Sequence, residues 1–366
     1  MNRIEVQRKF DEIKQLEKNN LTRKIEIMKE IISSGYFKTE NYLSQFEDNE
    51  NKKSNELLRF LKYKDGYGYY KGIDCDVCLT SMVTYCMMYD FLSENNIQLQ
   101  FKEQYKYEIK NGENIVYRGD TITSAWTAFK NYLTFLWFKK GISPLYRELF
   151  IEYVNKKGIP IKGTITIPND KDKPSYKSLI DYVIDRGTND EEFCKIIYST
   201  ISGDAKNFLN NYMTAGNYLC IPGNTYSGVS FNTARSNGGK WDTVDLFLWK
   251  IYQYYHTGDK KYIEMIFTSN QTQLAQDFMR WVHDFGITCW NEFITIHCLQ
   301  DFVESCGDGK YGKPISLKTG NPIEEINGGY DPIPKNLEEC ETFFKTASKR
   351  IPLRTQRIFK KITGQK

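Results

Sequence analysis

An α+β fold, predominantly helical with a small antiparallel sheet, is what this sequence predicts. Three observations carry that reading. Apolar residues recur at three- and four-residue steps over most of the chain, the period of an amphipathic helix. Period-two alternation is confined to Gln98–Ile109, which runs into Asn111-Gly112 and then the apolar Ile115-Val-Tyr117. Short apolar runs at 159–167 (IPIKGTITI) and 218–221 (YLCI) read as the remaining strands.

Taken in order, residues 1–50 read as a charged helical arm. Ile4, Phe10, Ile13 and Leu16, then Ile25, Met28, Ile31 and Ile32, give its apolar stripes. The arm packs on the main body or on a second copy of the chain, which makes a homo-oligomer one expected state. Polar residues 48–55 mark the boundary, and 51–366 form the main α+β domain. Leu79–Leu92 is helical by spacing, with Met82, Val83 and Cys86 on one face. The strand–turn–strand at 98–117 delivers Arg118, Asp120 and Thr121 onto a helix at 124–139, striped by Trp126, Phe129, Leu133, Leu136 and Trp137. Helices are expected at 176–184, 191–198 and 202–212. From Trp241 the stripe Val244, Phe247, Leu248, Ile251, Tyr252 and Tyr255 predicts a helix with Asp242 as N-cap, closed by Gly258. Further helices follow at 271–285 and 290–303. The Gly- and Pro-rich stretch 311–334 reads as loop. Asn336 with Glu339 makes a capping box for a helix through Lys349, and Pro352 suits the first turn of a last helix.

Composition removes several classes of function. The 366 residues are 40% hydrophobic and 26% charged, a globular balance. No apolar run approaches the ~20 residues that span a bilayer. The first twenty residues lack an apolar signal core, so a cytoplasmic location is expected. Nine cysteines, an odd number without a framework, read as reduced thiols. Cys75-Asp-Val-Cys78 has no second ligand pair, and His256, His283 and His297 share no ligand spacing, so no metal site is assigned. His297 reads as a satisfied core histidine. The net charge of +4 hides an asymmetry: residues 342–366 hold eight Lys or Arg and no acid, which leaves −4 for the rest (4 − 8).

The segment 217–256 organises the candidate site. A loop rich in Gly and Asn enters a helix start, where backbone N–H groups and the helix dipole favour an anion. Asn232 and Arg235 lie in that loop, and the guanidinium fork suits phosphate or carboxylate. The alternative is an ordinary loop whose Arg235 ties down a neighbouring carboxylate. Arg118 leaves the hairpin beside apolar bulk, so it either pairs with an acid such as Asp120 or holds an anionic ligand. Asp120, Asp242 and Asp245 are the candidates for general base or Mg²⁺ ligand, Mg²⁺ being the cofactor such a site could take. Gln300 and Asp301 are placed to reach the same cavity. At the C-terminal end, Arg350, Arg354, Arg357 and Lys361 recur at steps of four, three and four as one basic stripe. It suits nucleic-acid phosphates or an acidic partner, or is a solvated face balanced by the acidic remainder.

Three blocks in this order, YRGDTITSAWTAF, FNTARSNGGKWDTVDLFLWKIYQYY and LQDFV, resemble a widespread bacterial family of unknown function. The matching positions are Arg118, Asp120, Thr121, Asn232, Arg235, Asp242, Asp245, Gln300 and Asp301. The resemblance covers roughly residues 115 to 305. It implies no reaction, only that these polar residues meet at one site. Where many members carry further Arg in the central helix, this chain has Trp249, Tyr252 and Tyr254.

Three functional expectations follow. The first is a protein that acts on or senses a nucleotide or nucleic acid, with Arg118 and Arg235 clamping the anion. The second is a non-catalytic binding protein, of the kind found in phage defence or counter-defence, recognising a protein or nucleic acid. The third is ADP-ribosyl transfer from NAD, suggested by Tyr117-Arg118-Gly119 and Tyr226-Ser227 to Ser230. That chemistry expects a Glu-x-Glu on a strand, and the only later match, Glu339-Cys-Glu341, reads as helix.

Overall fold

The computed structural model describes residues 1, 3–16, 20–34, 80–87, 92, 94–95, 97–101, 107–112, 114–122, 125–138, 152, 156, 199–212, 214–223, 225–226, 229–231, 243–267, 272–324 and 329–364. The elements that these residues form are α1 (Arg3–Gln15), α2 (Leu21–Ser33), α3 (Thr80–Met87), β1 (Gln98–Phe101), β2 (Tyr107–Asn111), β3 (Asn114–Thr121), α4 (Ala125–Phe138), α5 (Gly203–Tyr212), β4 (Tyr218–Pro222), β5 (Thr225–Tyr226) and β6 (Val229–Ser230). They continue with α6 (Val244–Thr257), α7 (Lys261–Glu264), α8 (Thr272–Asp284), α9 (Trp290–Ile296), β7 (Val303–Ser305), β8 (Tyr311–Pro314) and α10 (Leu337–Thr363). The fold is α+β and predominantly helical. Its main sheet is antiparallel in the order β1-β2-β3-β4.

The Asn111-Gly112 turn joins β2 to β3, with Gly112 at φ 60°. Residues 98–109 do not form the single strand expected from alternation. They supply β1 and the start of β2, paired Gln98 to Lys110. β4 then pairs with β3 across a long sequence gap, Tyr117 opposite Pro222 and Thr121 opposite Tyr218. The expected strand at 159–167 and helices at 176–184 and 191–198 lie outside the described residues.

Helix α10 is the spine of the core. It packs on α5, α4, α2 and α3. Phe344 of α10 meets Phe129 and Tyr132 of α4 at 4.9 and 5.1 Å and Phe208 of α5 at 5.2 Å. Such ring pairs add to the burial of their apolar area. The N-terminal helices join the same core: Val6, Phe10, Ile27, Met28, Ile31 and Ile32 are fully buried. Ile4, expected on the buried stripe, is 79% exposed, and Val6 takes its place.

Several element ends differ from expectation for identifiable reasons. The helix starting at Trp290 stops at Ile296 rather than running to 303, although no glycine is present. Cys298 adopts φ 55°, and the N–H groups of Cys298 and Leu299 donate to Thr295 and Ile294 at 3.2 and 2.8 Å. That is a Schellman cap, costing about 1 kcal/mol for a left-handed non-glycine. The stretch 311–334 is not all loop: β7 and β8 form a hairpin around Gly307-Asp308-Gly309, all at positive φ. The C-terminal end is one 27-residue helix, not two. Asn336 caps it, accepting from Glu339 N–H at 2.9 Å as its capping box predicts. Pro352 sits inside it, and the Ser348 carbonyl that Pro352 cannot serve accepts from Asn211 Nδ2 at 3.4 Å.

Gly216, in a short 3-10 turn before β4, presses against α10. A Cβ there would lie 2.0 Å from the Ile351 carbonyl oxygen and 2.8 Å from the Thr355 nitrogen. These are backbone atoms and cannot step aside. Gly216→Ala should therefore cost about 3 kcal/mol, read as a lower denaturant midpoint with an unchanged m-value.

Candidate functional site

Three distant segments meet where α10 crosses the start of β4. Arg354, only 3% exposed, is the crossing point. Its Nη1 donates to the Gly216 and Tyr218 carbonyls at 2.8 and 2.7 Å. Its Nε and Nη2 donate to the His297 carbonyl at 3.2 and 3.1 Å. Burial pushes the guanidinium pKa down to about 10. The neighbouring cations serve the same end of α9. Lys361 Nζ donates to the Ile296 carbonyl at 2.9 Å. Arg350 donates through Nη1 to the Asp301 carbonyl. Arg357 makes a two-bond fork to the Asp301 carboxylate at 2.6 and 3.2 Å, which raises its pKa. Cations at the closing carbonyls of a helix complement its dipole. So the basic residues expected as one stripe facing phosphates are turned into the protein at Arg354, and all four bond to α9 or the turn after it, Arg354 to β4 as well. The faces of α10 explain this: Ile351, Ile358 and Ile362 dock, and Arg354 lies between them.

His297 lies under this crossing, its ring 4.8 Å from Trp281, 4.7 Å from Phe285 and 4.8 Å from Phe293. It is buried as expected, yet its Nε2 has no hydrogen-bond partner. Burial, then the charges of Arg354 and Lys361, hold its pKa well below 6.5.

A second hub forms at the start of α6. The cap is Thr243 rather than the expected Asp242, which lies outside the described residues. Asp245 is buried, and both its oxygens are engaged. Oδ1 accepts from Leu246 N–H at 2.9 Å, and Oδ2 accepts from Leu317 N–H at 2.8 Å and the Tyr330 hydroxyl at 2.6 Å. Ser316 Oγ completes the chain, 2.7 Å from the Tyr330 oxygen. Burial raises the Asp245 pKa against these donors. The role expected for Asp245, base or Mg²⁺ ligand, meets a carboxylate that already accepts three hydrogen bonds from the protein. Among the described residues no group of three or more His, Cys, Asp or Glu could hold a metal ion.

The helix start is also less open to an anion than a bare N-terminus. Val244 N–H donates to the Ile122 carbonyl at 2.7 Å, and Leu246 N–H is taken by Asp245. The first of these bonds does something else: it fastens the exit of β3 to the start of α6. Ile122 N–H in turn donates to the Asn217 carbonyl at 2.7 Å. The backbone of Arg118, Asp120 and Thr121 runs opposite Ile221, Leu219 and Tyr218. Tyr218 is also a partner of Arg354, so the first block and the α10 crossing are neighbours through β4. Gln300 and Asp301 form the turn after α9, where Asp301 holds Arg350 and Arg357. Asn232 and Arg235 lie outside the described residues. Tyr330 and Ser316 were not found from sequence, because they sit in a stretch whose Gly and Pro content signals only loop. Glu339 and Glu341 are in the first turns of α10, where Glu339 caps and Glu341 accepts from Ser202 Oγ at 2.5 Å.

Two outcomes test these assignments. Tyr330→Phe should cost about 1–2 kcal/mol by removing a charge-assisted hydrogen bond from a buried carboxylate, measured by urea denaturation. The His297 shift has a definite sign. An imidazole whose folded pKa is depressed contributes stability above the unfolded value of 6.5, lost as pH falls below it. Stability should fall by up to about 1.4 kcal/mol per pH unit below 6.5, and His297→Phe should flatten that limb.

No helix among the described residues is long and apolar enough to cross a membrane. No curated protein and no solved structure matches the chain. A family model, described as a family of unknown function (DUF6994), matches residues 161–358, more than half of the chain. That span holds α5 to β8, the Arg354 crossing, the Asp245 hub and α10 through Ile358; the chain belongs to this family of unknown function.

Proposed function

We propose that the protein is a receptor for a phosphate-bearing anion, a nucleotide or nucleic acid, with Arg118 and Arg235 as its clamp. The observation that supports this reading is the bond from Val244 N–H to the Ile122 carbonyl. It holds the end of the strand that carries Arg118 against the start of α6, and Arg235 precedes that start by nine residues in the sequence, a separation that lets both guanidinium groups serve one ligand. A guanidinium pair suits the planar, two-point recognition of phosphate oxygens. Of the carboxylates expected as base or Mg²⁺ ligand, Asp245 is committed to holding the fold, which favours binding or sensing.

The test is a thermal-melt panel of nucleoside mono-, di- and triphosphates, NAD and a short oligonucleotide. One ligand class should stabilise the wild-type chain, by about 2.7 kcal/mol at a hundredfold excess over Kd. Arg118→Ala and Arg235→Ala should fold with little change and lose that response. Loss of roughly 3–5 kcal/mol in the unliganded variants would instead mark both arginines as buried ion-pair members and end this reading.

A second reading rests on the outer face of α10. Lys345, Lys349 and Lys360 are exposed on one side of it, away from the inward cations. That face suits an acidic partner or a phosphate backbone without any chemistry. Binding of an oligonucleotide there would weaken with salt, and Lys→Gln changes at the three positions would reduce the slope.

A further inference from the structure

A small hollow lies between α3, β4 and α10, with a volume of about 20 Å³. Among its lining residues are Thr84, Leu219, Cys220, Phe285, His297 and Arg354. A single water needs roughly 10–15 Å³ of such space, so one particle of water or halide size fits and a tetrahedral oxyanion does not.

The chemistry of the walls selects between the two. A guanidinium has five N–H groups. Arg354 uses four bonds, all to backbone carbonyls, which leaves one Nη2 N–H. Among the described residues no carboxylate lies within ion-pair distance of Arg354; Asp301 acts on it from beyond that distance and is forked by Arg357. Burying a cation without an opposite charge is costly. Carbonyl dipoles offset part of that cost and leave the net charge in place. His297, whose buried Nε2 has no partner, lines the same hollow. In the tautomer protonated at Nε2 it is a second donor, and the Thr84 hydroxyl, which also bonds the Cys220 side chain, stands on the same wall. A water would satisfy the spare donors but not the charge. We propose that this hollow binds one monovalent anion of halide size, held by Arg354, His297 and Thr84 inside an otherwise apolar wall. This site is independent of the Arg118–Arg235 reading and stands or falls without it.

The test uses the full chain at constant ionic strength in sodium chloride, sodium bromide and sodium gluconate, whose anion is too large to enter. Melting temperature should rise with chloride or bromide along a saturating curve. Thr84→Val, which keeps the shape and removes the hydroxyl, should at least halve that gain. Crystals grown in bromide should show an anomalous peak beside Arg354. Equal melting temperatures in chloride and gluconate, a halide response unchanged in Thr84→Val, or density in the hollow without anomalous signal would overturn the proposal and leave a water there.

Discussion

The buried guanidinium of Arg354 is the constraint on which the rest of the structure depends. Three carbonyls from two distant segments converge on it. Gly216 and Tyr218 enter the sheet there, and His297 closes α9 there. The next residue, Thr355, accepts from the Gly216 N–H through its hydroxyl at 2.9 Å. So two successive residues of α10 serve both backbone groups of one glycine. That close approach is open only to a residue without a Cβ. An unsatisfied buried carbonyl costs on the order of 1–3 kcal/mol. Removing Arg354 would take a donor from three carbonyls at once, so this side chain ties α10 to β4 and to the end of α9.

The same logic governs the two carboxylates. Asp245 joins the start of α6 to the Ser316–Leu317 turn and to Tyr330. Asp301 joins the turn after α9 to α10. Both belong to sequence blocks that read as a polar site, and both are spent on architecture. Together with two other ties they make a frame: β3 is held to α6 through the Ile122 carbonyl, β4 to α10 through Arg354, and α9 to α10 through Asp301. A ligand site at the edge of this frame would inherit its rigidity from these bonds, a requirement for holding donors in fixed geometry. The polar residues that support a site and those that touch a ligand carry the same sequence signature.

Much of the local structure was legible because it depends on neighbours in sequence. The Asn111-Gly112 hairpin, the stripe of α6 ended by Gly258 and the Asn336–Glu339 cap all follow from short-range chemistry, as does the stop of α8 at Gly286. The break after Ile296 was not legible, since a cysteine took the left-handed cap and nothing in its neighbourhood announced it. The continuity of α10 through Pro352 was hidden for a similar reason: the group that meets the freed carbonyl is Asn211, over a hundred residues away.

By itself, then, the sequence determined an α+β chain, predominantly helical, with the hairpin turn and β4 of its main sheet, several helix ends and its family kinship readable from periodicity, turn residues and block order. Only the tertiary structure decided which charges face inward. A helical repeat of Arg350, Arg354, Arg357 and Lys361 specifies a shared side of a helix, not what lies against it. That side met the open carbonyl end of α9, and desolvated carbonyls need donors wherever they are buried.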